Sequence, residues 1–350
     1  MLFTKAKEIV GIDIGSSSVK LVQLKKQGDN YALQNVGIWP LPAEAIVDNT
    51  LMDTTSIVET IKTLIKSLGI QTKEASCSIS GNAVIIRKIS LPAMTQEELE
   101  DQIFWEAEQY IPYDINDVNV DFEILEADLS ESAKMTVLLV ASKKDFINEY
   151  VSVFNEAGMK LVVVDVDSFA VQNSFEINYE NEKDNVIALI NIGASVVNVN
   201  IVKGGISLFT RDVQLGGNVY TEEIQRQFAV SSEEAEKIKV TGEYADQARL
   251  QELISRVNDT ISLEILRSLD LYYSTAEDQK ITKIYISGGC AKVAMLPEVL
   301  SQRANLPVEI LNPFLSIKYN EKEFDSDYLK EIGPFVAVAT GLAMRRLGDK

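Results

Sequence analysis

Apolar side chains first recur with a period of two. Ile9, Gly11, Asp13 and Gly15 interleave with Val10, Ile12 and Ile14, and after Ser16-Ser17-Ser18 the alternation resumes from Val19 to Leu24. This predicts two strands joined by a tight Gly/Ser turn. The spacing then turns helical through Ile57, Ile61, Leu64 and Leu68, with Gly69 as the stop. Strands are predicted over 75–79 and 83–91. Thr95 and Glu98, three apart, form a capping box after Pro92. The helix they open should reach about Tyr110 before Pro112 stops it. Strands at 118–126 and 135–142 precede a helix marked by Phe146, Tyr150 and Phe154 and closed by Gly158. A buried strand at 161–166 and a short helix at 168–175 follow.

The polar stretch 178–184 reads as a linker. Beyond it three more strands are predicted, at 186–192, 196–202 and 206–213. Helices follow at 219–228, at 232–240 and, a long one, within 245–275. The chain then returns to a strand (283–287), the Gly288-Gly289 turn, a helix (294–303), a short strand (308–311) and a last helix (334–347). This succession predicts an α/β fold.

Two passages match at a fixed offset. Asp13 aligns with Asn191, and at the same spacing Ile12 meets Ile190, Gly15 meets Gly193, Ser17 meets Ser195 and Val19 meets Val197. The spacing is about half the chain, so the protein reads as a duplication of one α/β half. The turn chemistry adds to the match. A glycine leaves room for a ligand close to the backbone. Successive backbone N–H groups in such a turn form an anion nest, and hydroxyls add donors. Two facing turns would grip a polyphosphate from both sides. Asp13, just before its turn, is placed to hold hydrated Mg²⁺, which takes one or two carboxylates and keeps several waters. Neither GxxxxGK[ST] nor GxGxxG occurs.

Composition narrows the chemistry. The 350 residues contain no histidine, which excludes a Ser-His-Asp triad, a Cys-His dyad and any His-liganded metal. Two cysteines, Cys77 and Cys290, exclude a four-thiolate site and read as reduced thiols. The net charge of −19, without a basic run, argues against nucleic acid. No apolar run approaches the ~20 residues that cross a bilayer. The expectation is a cytoplasmic protein whose membrane attachment, if any, goes through a partner.

These residues resemble the actin-like ATPase superfamily, which includes actin, Hsp70 chaperones, sugar kinases, MreB and FtsA. The first phosphate motif, D-x-G-[ST]-x-x-x-[KR], is met by Asp13, Gly15, Ser16 and Lys20, with Ser17 and Ser18 inside it. The second is met by Asn191 and Gly193, followed by Ala194 and Ser195. Gly288 and Gly289 match the adenosine turn, Glu236 and Lys239 match a Glu-x-x-Lys on the ribose and adenine side, and Gly216-Gly217 resembles the glycine turn before the outer subdomain. A narrower resemblance, to PilM-like proteins of type IV pilus assembly and twitching motility, lies in Leu91-Pro92-Ala93-Met94 and the run from Trp105 to Tyr113.

The resemblance implies two duplicated RNase H-like halves around a nucleotide cleft, with an FtsA-type inserted subdomain. The first core subdomain would span 1–80 and 158–180 plus the helix 334–347, and the insert 81–157. The second core subdomain would span 185–218 and 281–333, and a helical outer subdomain 219–280. It further implies bound ATP and Mg²⁺, and a groove between core and insert for the N-terminal cytoplasmic peptide of PilN, an inner-membrane protein. Other inner-membrane pilus assembly proteins and self-association also follow as partners. The protein would then lie at the inner membrane without inserting into it. FtsA carries a C-terminal membrane helix, and nothing like it ends this sequence.

One departure bears on turnover. Asn191 stands where the family places an Asp, which keeps a hydrogen bond but loses a charge. Asp13 and Asp167 remain as candidates to orient water. Lys20 would neutralise phosphate, or else is an ordinary strand lysine. The expectation is ATP binding with slow or absent hydrolysis. An FtsA- or MreB-like filament former and a small-molecule kinase of the same superfamily stay open as alternatives.

Overall fold

A computed structural model describes residues 8–28, 30–127, 134–276 and 279–349. The opening alternation forms antiparallel strands β1 (Val10–Ile14) and β2 (Ser18–Gln27). Strand β3 (Asn30–Pro40) extends the pair and was not expected from the sequence. Its pairing with β2 shifts register between Gln23 and Leu24, so its inward residues do not keep a two-residue period. A two-residue hairpin follows, β4 (Ile46–Val47) with β5 (Thr50–Leu51). Helix α1 (Thr54–Ser67) is capped by Asp53 and buries Ile57, Ile61 and Leu64. Strand β6 (Glu74–Ile79) lies parallel to β1.

The chain then leaves this sheet. Strand β7 (Val84–Pro92), helix α2 (Gln96–Ala107), β8 (Val118–Ala127) and β9 (Lys134–Lys143) make a separate three-stranded unit, ordered β7-β9-β8. The capping box forms as expected: Thr95 Oγ1 accepts from Glu98 N, and Thr95 N donates to Glu98 Oε2. Leu99, Ile103, Val137 and Leu139 give the unit its own small core. Helix α3 (Lys144–Glu156) returns the chain to β10 (Lys160–Val166), parallel to β6. Tyr150, Val153 and Phe154 of α3 pack into the first sheet's core. We therefore propose 84–143, within the expected 81–157, as the inserted unit.

The linker expected at 178–184 is built into the structure. Asn178 ends helix α4 (Asp167–Asn178) and donates to the carbonyls of Ser174 and Pro313. Glu182 accepts from Lys283 and from Tyr285. Asn178 and Glu182 tie elements together, while Glu180, Asn181, Lys183 and Asp184 between and beside them are exposed to solvent. Strands β11 (Ile187–Ile192), β12 (Val197–Lys203) and β13 (Ile206–Val213) then repeat the opening meander. Helices α5 (Asn218–Phe228), α6 (Ser232–Thr241) and α7 (Gln247–Thr275) cover one face. Strand β14 (Lys283–Ser287), helix α8 (Leu296–Ala304) and β15 (Val308–Ile310) complete this half.

The two sheets run β3-β2-β1-β6-β10 and β13-β12-β11-β14-β15. Each is a three-stranded meander followed by two parallel strands, in the same spatial order. The duplication read from the sequence is thus a duplication of topology. The region after β15 then recrosses: Lys318 bridges Ala32, and Phe314 and Ile317 pack with Val22 and Leu24 of the first sheet. Helix α9 (Ser326–Ile332), also unexpected, joins that cluster through Leu329. Helix α10 (Ala337–Met344) is buried on all sides and lies against α4 between the halves. Any Cβ at Gly341 would fall 1.7 Å from the Ala170 carbonyl oxygen, so the crossing requires glycine. The helix stops at Met344, short of the expected Leu347; Arg345 turns extended there and its guanidinium lies 3.2 Å from the Asp165 carboxylate. Among the described residues no helix is long and apolar enough to cross a membrane.

Candidate functional site

The two repeat turns face each other between the halves. Gly15 N donates to Ser18 O at 3.1 Å, and Gly193 N donates to Val196 O at 2.9 Å. These are the same bond at the same offset. The Ser16 and Ser195 hydroxyls touch across the gap. Between the turns lies a cavity of about 80 Å³ bounded by Asp13, Gly15, Ser16, Ser17, Lys20, Asp167, Asn191, Gly193, Ala194 and Ser195. Ser18 serves this site through its carbonyl rather than its side chain. Ligand pockets for nucleotide-sized molecules are several-fold larger. Entry of such a ligand requires the halves to part and the two serines to separate.

The walls differ in charge. In the first half Asp13 sits opposite Lys20, and their side chains pair at 3.2 Å. Asp167 opens α4 and points into the same cavity. Burial, then the neighbouring Asp13, raises its pKa to about 6, and the Ser78 and Ser80 hydroxyls pull it partly back. In the second half the matching pair is Asn191 opposite Asn198. Asn191 Nδ2 donates to Asn198 Oδ1 at 3.0 Å, and Asn191 Oδ1 accepts from Ser287 Oγ at 3.2 Å.

The remaining predicted residues line up behind the second turn. Gly217 N donates to Gly193 O, and Asn218 N to Ala194 O, so Gly216-Gly217 seats the start of α5 against that turn. Lys239 of α6 pairs with Glu236 at 2.6 Å and donates to Thr221 Oγ1 at 3.2 Å. Gly288 has φ +88°, and a Cβ there would meet the Ile192 carbonyl oxygen at 2.4 Å. Gly289 lies alongside the Phe335 ring. Asp13 and Asp167 therefore border the cavity between the turns, whereas Gly216, Gly217, Glu236, Lys239, Gly288 and Gly289 lie behind the second turn and do not line it.

Sequence reasoning missed three participants. Asn198 was within reach, since it stands at the repeat offset from Lys20. Asp212 on β13 accepts from Asn198 and from the Gly81 amide, and only the β12–β13 pairing brings it there. Cys290, buried beside Gly193 O, carried no motif. Among the described residues no group of three or more Asp, Glu, Cys or His side chains could hold a metal by itself. A cation here would rely on one carboxylate plus oxygens from a ligand and water, as Mg²⁺ does with phosphates. Asp13, buried and directed into the cavity, fits that donor set.

A second concavity, of about 290 Å³, lies where the inserted unit meets the first half, and Gly205 and Ser207 of the second half close one side of it. Asp121 and Glu123 of β8, Leu138 of β9, Asp165 of β10, Glu176 of α4 and Arg345 border it. Burial raises the pKa of Asp165, while Arg345 lowers it. Burial also raises that of Glu176.

Two matched half-sheets around a cleft with opposed Gly/Ser turns, and an extra unit in the first half, define a protein of the actin-like ATPase fold. The family described as "Type IV pilus assembly protein PilM" matches residues 11–347, and the chain belongs to it. Among solved structures it is similar to a PilM–PilN type IV pilus biogenesis complex, with a TM-score of 0.88 and 29% identity over 99% of this chain and 100% of that one. MreB5 of Spiroplasma citri bound to ADP shares the fold, with a TM-score of 0.51 and 12% identity over 93% of this chain and 98% of that one. The cell division protein FtsA of Bacillus subtilis (strain 168) is 23% identical over 269 residues, 70% of this chain. The chain spans about three fifths of that relative's length.

Proposed function

We propose that this protein is an ATP-binding scaffold of the type IV pilus assembly platform that holds the N-terminal cytoplasmic peptide of PilN. The observation that carries this reading is the likeness to the PilM–PilN complex over the whole chain, inserted unit included. The groove between insert and core suits an extended peptide. It presents four carboxylates to one guanidinium, so a peptide with basic flanks would bind in a salt-dependent way.

In the cleft, the turn amides and the Ser16, Ser17 and Ser195 hydroxyls supply donors for phosphate oxygens. Lys20 would exchange Asp13 for phosphate, leaving Asp13 to hold Mg²⁺ through water. The metal, when bound, offsets the negative charge of the phosphates. Gly216, Gly217, Glu236, Lys239, Gly288 and Gly289 would enclose the nucleoside. Asn191 cannot act as a base, and Asp167 with its raised pKa is the carboxylate left to orient water. Binding would therefore outlast turnover, and ATP would favour a closed arrangement by its higher affinity for it.

Calorimetric titration of the full chain with a synthetic PilN N-terminal peptide tests the partner. The expected result is one-to-one binding that weakens at least about tenfold when Asp165 and Arg345 are both replaced by Ala. No binding by the unaltered chain, with or without Mg-ATP, would remove PilN as the partner.

A further inference from the structure

A hydrogen-bonded line leaves the cleft and ends at the root of the inserted unit. Ser287 Oγ donates to Asn191 Oδ1, Asn191 Nδ2 to Asn198 Oδ1, and Asn198 Nδ2 to Asp212 Oδ1 at 2.8 Å. The other Asp212 oxygen accepts from the Gly81 backbone amide at 2.5 Å. Gly81 is where the chain turns out of β6 toward β7. Four side chains from four strands of the second half thus reach a backbone amide of the first.

The direction of this line is fixed by its end. An ionised carboxylate only accepts, whereas an amide donates from one side and accepts on the other. With Asp212 ionised, Asn198 must turn its NH₂ toward it, and its carbonyl then faces Asn191. Asn191 in turn must aim its own carbonyl at Ser287. Asp212 makes no ion pair among the described residues. Burial raises its pKa, and the bonds from Asn198 and Gly81 counter that rise. Ser287 at one end and Asn198 in the middle are almost wholly buried, so neither can readily exchange its partner for water.

We propose that Asp212 is a positioning residue that couples the interhalf cleft to the inserted unit. It orients the Asn191 amide beside the second turn and at the same time holds the Gly81 amide. Parting the halves to admit a ligand moves β13 relative to β6 and breaks the Asp212–Gly81 bond, which frees the insert's root. Closure restores it. The functional consequence rests on the cleft being the nucleotide site proposed above; the coupling itself does not.

Amide hydrogen exchange on the full chain separates the two. Without ligand, Ser287→Ala at the far end is expected to speed Gly81 amide exchange several-fold. Asp212→Asn, which keeps the shape but lets the amides reverse, is expected to speed it more, and Ser287→Ala added to Asp212→Asn should change it no further. With Mg-ATP, Gly81 exchange should slow in the unaltered protein and not in Asp212→Asn. Unchanged Gly81 exchange in ligand-free Ser287→Ala, with the fold intact by circular dichroism, would overturn the coupling. Additive effects of the two substitutions would overturn it as well. If the unaltered protein fails to bind Mg-ATP, the nucleotide reading falls while the ligand-free comparison still decides the coupling.

Discussion

The two turns that face each other across the cleft share a backbone and differ in charge. Both open with a strand, close with a Gly N–H to carbonyl bond at the same offset, and place a second-strand residue opposite the residue before the turn. In the first turn that pair is Asp13 with Lys20, a recessed ion pair whose cation can be handed to a ligand. In the second it is Asn191 with Asn198, two neutral amides, with the carboxylate displaced to Asp212 on the next strand. Duplication thus preserved the cradle while the chemistry diverged: the first half carries the ions, and the second carries the link to the insert.

Several substitutions would break or sharpen this contrast. The largest effect is expected where charge is lost. Asp13→Ala leaves Lys20 without its partner and removes the carboxylate for Mg²⁺, so Mg-ATP affinity should fall about 100-fold, whereas Asn191→Ala should cost about tenfold. Fluorescent-nucleotide titration measures both, and equal losses would mean that the charge difference is irrelevant to binding. Restoring an Asp at the second turn comes next. In Asn191→Asp a carboxylate oxygen faces the Asn198 carbonyl, so stability should drop by about 1–2 kcal/mol. Urea denaturation would detect the drop, and an unchanged midpoint would show that Asn198 simply reverses.

A smaller effect concerns pH. Asp167 has a folded pKa of about 6, raised from 3.8, so the folded state binds its proton more tightly than the unfolded state does. The penalty is full above pH 6 and is relieved as the pH falls toward 4. Asp167→Asn should therefore stabilise the protein at pH 7.5, by about 1–2 kcal/mol after allowance for the solvent it reaches, and should do nothing near pH 4. Thermal melts at the two pH values check this sign. The smallest effect is at the serines: Ser16→Ala and Ser195→Ala should each weaken closure by about 0.5–1 kcal/mol, and the double variant by no more than either.

Much of this was legible in the sequence. The alternation marks the strands of the second sheet, and the repeat offset marks both turns. Helix ends and returns were harder. The apolar helix α10 has no polar face to mark where it stops, and just past its end Arg345 meets Asp165, 180 positions away in the chain. Strand β3 and helix α9 depend on packing against β2 that no local pattern announces. In the site, Asn198 could have been found by carrying the repeat one residue further. Asp212 could not, because its role comes from strand pairing and from Gly81, far away in the chain.

Under the proposed function, the neutral second turn would make this cleft hold ATP rather than spend it. Single-turnover phosphate release from the purified protein, with bound ATP quantified in parallel, tests it most directly. The expected result is stoichiometric retention of ATP with phosphate released at less than about 0.01 s⁻¹, well below the ~1–100 s⁻¹ typical of kinases. Release in the kinase range, with Asn191 in place, would contradict it.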